Sequence, residues 1–286
     1  ISRVDYHILK HFTTLLYVAA AVSMLLVKTP LGVEVNGAKR WLGVGSLQFQ
    51  PSEIAKIAVI VCLPYMVVKM GRKIATWKGM AFLAAAGGFL GFLAYWATEN
   101  LSTGIIICGI TAGMIFIAHP RTKPFLIAAA ASMAVVAGGV ALLVANISVS
   151  DSSSFRIRRI LVWLRPEEYS DSSAYQIIQA LYAIGSGGFF GKGLGNSTQK
   201  LGAVPEAQND MIFSIVCEEL GIFGGAIILI LFAYLLYRLF FIAQNAPDLL
   251  GSLMVSGIFI HIALQVILNI CVVIRSEEHT SELQSR

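Results

Sequence analysis

Long apolar runs separated by short polar loops dominate this chain of 286 residues. Each run is close to the ~20 residues that an α-helix needs to cross ~30 Å of hydrocarbon. The pattern predicts seven membrane-spanning helices, at residues 12–28, 53–69, 79–97, 103–118, 124–146, 212–243 and 249–274. The run at 212–243 is longer than one crossing needs, so we expect its first turns at the membrane surface or in a protein-lined cavity. The predicted fold is all-α, a polytopic transmembrane helix bundle with one large extracellular loop at about 147–211.

The composition supports a membrane protein. Hydrophobic residues make up 57% of the chain and charged residues only 13%, whereas a soluble domain carries roughly 25% charged residues. The four cysteines are widely spaced, with no CxxC or Cys/His pattern, and so indicate neither a zinc site nor a disulfide framework. The net charge of +5 is typical of lysines and arginines that anchor a membrane protein, and we expect no nucleic-acid partner.

Basic residues are concentrated in alternate short loops. Loops 69–78 and 119–124 carry several lysines and arginines, the polar lead-in adds more, and loop 98–102 carries none. Because basic loops stay on the cytoplasmic side of a membrane, this asymmetry predicts that the basic loops are cytoplasmic. Segments 29–52 and 147–211 are then external.

The first external segment, 29–52, contains Asn36-Gly37, a strong turn signal, and its aromatic residues suit a membrane interface. Lys56 follows one turn into the next predicted helix. A charge at the centre of a membrane helix costs ~2.5–3.5 kcal/mol, so this lysine should reach the interface or pair, with Glu53 as the nearby partner.

The second external segment contains a glycine-rich stretch. Seven glycines fall between residues 185 and 202, too many for the interior of a helix or strand. The phosphate-loop pattern fails there, because Ser186 stands where glycine is needed and Gly193 where serine or threonine is needed. Two acids four residues apart, Glu206 and Asp210, then precede the next apolar run.

Charged residues upstream and downstream of this stretch admit more than one interpretation. Apolar residues alternate with arginines near residue 156, which predicts a short interfacial helix. Its arginines either contact lipid phosphates or bind an anionic lipid substrate. Glu218 and Glu219 lie inside an apolar run, where we expect them to face a polar cavity or the interface and to have a structural partner.

Three blocks of this sequence resemble the SEDS family (shape, elongation, division and sporulation). The first is NGAKRWLGVGSLQFQPSEIAK at 36–56, the second AYQIIQALYAIGSGGFFGKGLGNSTQK at 174–200, and the third VPEAQNDMIFSIVCEELGIFG at 204–224. The Ser-x-Gln-Lys form at 197–200 is closer to the cell-division FtsW branch than to the elongation branch. One departure is Asn100, which stands where the family commonly has an aspartate.

The resemblance implies a bacterial cytoplasmic-membrane protein with ten spans, of which residues 1–274 match all but the first two and the last. We expect residues 275–286 to be a foreign segment, because they are polar, break an apolar run and resemble a translated sequencing adapter.

The resemblance also implies an activity, the polymerisation of lipid II into glycan strands during cell division. It assigns the carboxylates of Asp210 and Glu206 to catalysis. Asp210 acts as general base or as ligand of a divalent cation, Mg²⁺ or Mn²⁺, and Glu206 supports it. A competing interpretation makes Asp210 only the N-cap of the following helix, a position that favours aspartate. The candidate substrate-binding residues are Lys200, Gln199, Ser197, Arg156, Arg159, Arg40 and Lys56.

The family further implies a class B penicillin-binding transpeptidase as partner, together with other divisome membrane proteins. Two other functions fit many spans and buried charges equally well. One is a transporter that flips lipid II, and the other is a scaffold without catalysis. The acids of the external loop favour the enzyme, since a flippase needs no base outside the membrane.

Overall fold

The computed structural model describes residues 5–35, 38–44, 47–146, 172–199 and 211–274. Short 3-10 turns lie at Tyr6–Ile8 and Gly71–Ala75. Eight α-helices lie within the described ranges: α1 at Leu9–Leu26, α2 at Pro51–Met70, α3 at Trp77–Trp96, α4 at Leu101–Ala118, α5 at Lys123–Asn146, α6 at Ser172–Gly187, α7 at Ile212–Gln244 and α8 at Leu249–Ile274.

The predicted spans are confirmed as helices, with ends that agree to within about three residues, the usual uncertainty of a helix boundary. Six helices of the described chain are long and apolar enough to cross a membrane. The apolar stretch of α5, counted over Phe125–Gly139, is shorter than the other six. The polytopic helical fold is therefore as expected, and the orientation of its loops stays a prediction.

The chain divides into two compact units. The first comprises Ile1–Ile127 and Leu236–Gln265, and the second comprises Ala128–Leu235 and Val266–Arg286. The core of the first unit is built mainly from α1 to α4, with buried residues such as Met24, Leu63, Leu90, Ile107 and Leu253. Small residues let α3 and α4 approach closely, since a Cβ on Gly91 would press on the Cys108 sulfur.

A small antiparallel sheet lies between α1 and α2, and the sequence did not predict it. Strand β1 (Gly32–Val35) pairs with β2 (Ala38–Val44), which pairs with β3 (Leu47–Phe49). The predicted turn at residues 36–37 lies outside the described residues, and the strands on either side of it pair with each other, Val35 with Ala38. The strands were missed because they are too short to show a clear period-two pattern.

The N-terminal turn is hydrogen-bonded to the connection between α7 and α8. Tyr6 donates its hydroxyl hydrogen to Asp248 at 2.5 Å, and His7 Nε2 lies 3.0 Å from the other oxygen of that carboxylate. The Gly251 N–H also donates to Asp248, at 3.0 Å. Donation by the Tyr6 hydroxyl is the main reason that the pKa of Asp248 lies below its usual range.

Helix α6, in the second unit, lies inside the region that the sequence predicted as a loop. Its buried positions Ala180, Ala183, Ile184 and Gly187 follow the i, i+3, i+4, i+7 spacing of a helix with one buried face. The two glycines in its last turn obscured this periodicity. They also mark its end, because glycine is a poor residue for a helix interior.

Candidate functional site

The glycine-rich segment after α6 lies along the beginning of α7. Its backbone and that of α7 are joined reciprocally, each donating to the carbonyl groups of the other. Four such N–H···O bonds of 2.9 to 3.2 Å join described residues: Lys192 to Glu218, Gly193 to Glu219, Ile222 to Gly188 and Phe223 to Phe189. Helix α7 is interrupted at Gly221, and these bonds satisfy the backbone groups that the interruption leaves without helical partners.

Two glycines make this close approach possible. Gly221 has φ of 72° and Gly191 has φ of 79°, a left-handed region that side chains disfavour. A Cβ on Gly191 would overlap the carbonyl oxygen of Glu219, and one on Gly221 would overlap that of Phe189. These two glycines therefore allow the backbone of the glycine-rich segment to contact that of α7. This role differs from binding a phosphate.

The Glu218 side chain is at the centre of this contact, with an exposed fraction of 0%. Its carboxylate accepts hydrogen bonds from Lys192 Nζ at 2.7 Å, from the Ser197 hydroxyl at 2.5 Å and from the Thr198 hydroxyl at 3.0 Å. The backbone N–H groups of Thr198 and Gln199 donate to it as well, at 3.3 and 3.4 Å. We call the segment 192–199 together with this carboxylate the Glu218 anchor.

The Glu218 anchor explains how an acid is accommodated at the start of an apolar helix. A buried carboxylate is costly unless it is paired and its lone pairs are used. Here both oxygens accept from hydroxyl, amide and ammonium donors. The sequence correctly indicated that Glu218 needs a partner, but it did not identify Lys192, which lies 26 residues earlier.

Two predicted substrate-binding residues, Ser197 and Gln199, meet at the Glu218 anchor. The Ser197 side chain is 2% exposed, and its hydroxyl donates to Glu218. The side-chain oxygen of Gln199 is buried and has no hydrogen-bond partner among the described residues. Of the two, Gln199 therefore keeps a polar atom that a ligand could use.

The described chain resumes at a residue that is held in place by apolar packing. Met211, the first described residue after position 199, is buried in an apolar cluster of the second unit. Its neighbours in that cluster are Ala180, Ile184, Ile215 and Cys217, with Phe213 packed against them.

Five of the predicted site residues lie outside the described residues: Lys200, Glu206, Asp210, Arg156 and Arg159.

Lys56 and Arg40 belong to the other compact unit. Lys56 is 2% exposed, and its Nζ lies 2.7 Å from Glu53 Oε2, so the predicted pairing is confirmed. Ser52 and His261, in the same unit, each have a buried polar side-chain atom with no hydrogen-bond partner among the described residues. The first unit thus carries buried polar groups on two membrane helices.

Arg40 joins β2 to the connection between α3 and α4. It donates to the carbonyl oxygen of Glu99 at 3.4 Å, while the Glu99 carboxylate lies 3.6 Å from Lys28 Nζ. Glu99 has φ of 52°, unusual for a residue other than glycine. Arg40 and Lys28 therefore present two cations beside a strained turn.

The departure at Asn100 has a structural explanation. Its side-chain oxygen accepts a hydrogen bond from the Thr103 N–H at 3.0 Å and so caps helix α4. Asparagine and aspartate are comparable N-caps. The substitution therefore preserves the capping role, whichever other role an aspartate has in relatives.

The described residues do not provide a metal site. No three His, Cys, Asp or Glu side chains among them come together in a way that could hold an ion. The buried carboxylate of Glu218 is already occupied by hydrogen-bond donors, one of them a cation, which does not fit an additional metal.

Together these features define a multi-pass helical membrane protein with a buried carboxylate that accepts hydrogen bonds from a glycine-rich segment. A family model described as cell cycle protein, that of FtsW, RodA and SpoVE, matches residues 1–275. The chain belongs to this family, the SEDS family that its motifs indicated.

Individual relatives agree with this assignment. The chain is 40% identical over 275 residues to stage V sporulation protein E of Bacillus subtilis, covering 96% of this chain and 72% of that protein. It is 33% identical to a probable peptidoglycan glycosyltransferase FtsW of Trichlorobacter lovleyi, covering 95% and 69%. A sporulation protein and a probable peptidoglycan glycosyltransferase are thus both among its relatives.

Solved structures show the same fold. A chain from a peptidoglycan synthase complex that coordinates polymerization and crosslinking superposes with a TM-score of 0.73 at 25% identity, covering 94% of this chain and 72% of the other. The crystal structure of the Thermus thermophilus rod shape determining protein RodA superposes with a TM-score of 0.61 at 24% identity, covering 94% and 68%.

Proposed function

We propose that this protein is a peptidoglycan glycosyltransferase that polymerises lipid II into glycan strands during cell division, in the bacterial cytoplasmic membrane. The observation that carries the proposal is its membership of a family whose FtsW relatives are named probable peptidoglycan glycosyltransferases. The anchored loop adds physical support, because the peptide that bears Glu206 and Asp210 starts from a fixed point at Gln199 and ends at a buried Met211.

The proposed reaction needs one base. A sugar hydroxyl of one substrate attacks the anomeric carbon of the other, the bond from that carbon to the phosphate oxygen breaks, and undecaprenyl pyrophosphate leaves with the electron pair. Asp210 accepts the hydroxyl proton, and Glu206 assists it. The leaving group is already an anion, so no acid has to protonate it, in contrast to glycoside hydrolysis with its acid and base pair.

The pyrophosphate of the substrate calls for cations and hydrogen-bond donors. The proposed ligands are Lys200, Arg156 and Arg159, whose side chains suit phosphate oxygens. Arg40, Lys56, Ser197 and Gln199 are proposed as further substrate contacts. In the alternative role of Asp210, its carboxylate would hold a divalent cation, Mg²⁺ or Mn²⁺, which would neutralise charge on the pyrophosphate.

The proposed partner is a class B penicillin-binding transpeptidase, with other divisome membrane proteins nearby. The support is the structural relative that belongs to a complex coordinating polymerization and crosslinking. Co-purification of the transpeptidase with the tagged protein from membranes is the expected result.

Substitution of Asp210 tests the chemistry. Asp210→Asn keeps the size and can still cap a helix, but it has no basic carboxylate. With its transpeptidase, lipid II and a divalent cation, the purified variant should lose at least ~100-fold in strand synthesis if Asp210 is the base or the ligand of the cation. The matched control is Glu34→Gln, a change from carboxylate to amide at an exposed position on β1, which should keep parental activity.

The competing functions give different results. If Asp210 is only a helix cap, the change costs at most ~1 kcal/mol and leaves synthesis nearly intact. Near-normal synthesis would therefore refute the assigned base. If the parent moves lipid II across vesicle membranes without any strand synthesis, it is a transporter. If it shows neither activity, the scaffold function remains.

A further inference from the structure

We propose that Glu218 is a positioning residue: its buried carboxylate holds residues 192–199 in one arrangement and thereby fixes the point from which the acid-bearing peptide departs. This inference rests on the proposed function, because it gives the anchor a purpose in that reaction. Glu218 has no place in the proton transfer described above. It acts through the loop.

The direction of the contacts supports positioning. Five donors from Lys192, Ser197, Thr198 and Gln199 converge on the two oxygens of one side chain. Two of the donors are backbone N–H groups, at Thr198 and Gln199, so the carboxylate fixes the path of the main chain as well as the side chains. Position 200, which begins the acid-bearing peptide, is the next residue.

Stability alone does not account for this arrangement. Replacement of a buried ion pair by apolar side chains of similar volume is often neutral or stabilising, so the pairing with Lys192 by itself gives folding little reason to keep a charge at position 218. The backbone bonds from Lys192 and Gly193 to the carbonyls of α7 already attach the loop without any side chain. What the carboxylate adds is control over residues 197–199, which those backbone bonds do not reach.

Lys192 is the charged partner in this device. Its side chain is 33% exposed while that of Glu218 is 0% exposed, so the ion pair has one end towards solvent and one end buried. The ammonium also lies 3.5 Å from the Thr198 hydroxyl. We therefore expect Lys192 and Glu218 to act as a unit, so that loss of either has the effect of losing both.

Amide hydrogen exchange tests the anchor without reference to activity. In Glu218→Gln, the amides of Thr198 and Gln199 should exchange at least ~10-fold faster, because charge-assisted hydrogen bonds are stronger than neutral ones. The amides of Lys192 and Gly193, which donate to backbone carbonyls, are the internal reference and should keep their protection. Glu34→Gln should change neither pair. Unchanged exchange at Thr198 and Gln199 would overturn the proposal.

Kinetics separate positioning from a purely structural role. We expect Glu218→Gln and Lys192→Met each to lower kcat by about 10- to 100-fold, as a misplacement of ~1 Å does. KM for lipid II should rise by a smaller factor, because Ser197 and Gln199 shift while the other proposed substrate contacts stay in place. The double variant should be no worse than the single ones, and Lys192→Arg should restore most of kcat.

Three results would contradict this role: faster exchange with parental kcat, a loss of kcat that only follows the loss of folded protein, or Lys192→Arg as inactive as Lys192→Met. A parent without strand synthesis would refute the proposed function instead, and the exchange measurement would still decide whether Glu218 anchors the loop.

Discussion

The Glu53–Lys56 pair in α2 makes a prediction in which the two partners are not equivalent. Lys56 is 2% exposed and Glu53 is 53% exposed, with 2.7 Å between Nζ and Oε2. Glu53→Gln leaves an ammonium group buried without its counter-charge. Lys56→Met removes the buried charge itself, replaces it with an apolar side chain of similar length, and leaves a carboxylate that water can reach.

The magnitudes follow from burial. Breaking a buried pair by removing one partner costs about 3–5 kcal/mol, and we take about 2 kcal/mol for Glu53→Gln because water reaches the acid side of this pair. For Lys56→Met we expect a change of about zero, or a stabilisation of up to ~1 kcal/mol. With roughly 2–4 °C per kcal/mol for a chain of 150–250 residues, Glu53→Gln should lower Tm by about 4–8 °C.

Thermal unfolding in one detergent checks this expectation, with the double variant as control. Glu53→Gln combined with Lys56→Met should return to near the parental Tm, because no buried charge is left. The same variants report on substrate binding: if Lys56 contacts lipid II, Lys56→Met loses strand synthesis while its Tm is retained. The reasoning fails if Lys56→Met is as unstable as Glu53→Gln, or if the double variant is no better than Glu53→Gln.

Three further predictions concern other parts of the molecule. Gly221→Ala should destabilise the protein by at least ~2 kcal/mol in thermal unfolding, because φ of 72° is strained for alanine. The control is Gly88→Ala, where a Cβ meets nothing within 4 Å, and this change should be neutral or slightly stabilising. Equal losses of stability in the two variants would contradict the role of backbone strain. Asp248→Asn should lower Tm near neutral pH. Because the folded-state pKa of Asp248 lies below 3.8, the carboxylate's contribution to folding stability is present above that value and is lost as the pH falls through the folded pKa. A difference in Tm from the parent that persists in acid would rule out this cause. A single cysteine at position 78 should react with an impermeant maleimide only from the cytoplasmic side, and reaction from outside would reverse the predicted topology.

The helices were predictable because lipid imposes a length and an apolar composition that a sequence shows directly. The short sheet at 32–49 and helix α6 were not predicted. In the sheet, strands of three to seven residues give too little periodicity. In α6, Gly185 and Gly187 suggested a loop, although Ala180, Ala183 and Ile184 have helical spacing.

At the site, local and distant relationships differed in how well they could be predicted. Lys56 was paired correctly with Glu53, because a partner three residues away lies on the same face of a helix. Lys192 could not be assigned to Glu218, because their proximity depends on the path of the chain between α6 and α7. The need of Glu218 for a partner was visible, and only the tertiary structure supplies its identity.

The interruption of α7 at Gly221 has a consequence for how the protein is made. At about 1.5 Å per residue, the stretch 222–244 is roughly 35 Å long, enough to cross the ~30 Å hydrocarbon layer by itself. The preceding stretch, with Glu218 and Glu219, is then not needed for insertion into the membrane. Biogenesis can therefore proceed in two stages, in which the apolar stretch is integrated first and the acidic stretch docks with the glycine-rich segment afterwards. Mutations on opposite sides of residue 221 should accordingly cause different defects, a failure of membrane integration on one side and an integrated but inactive protein on the other.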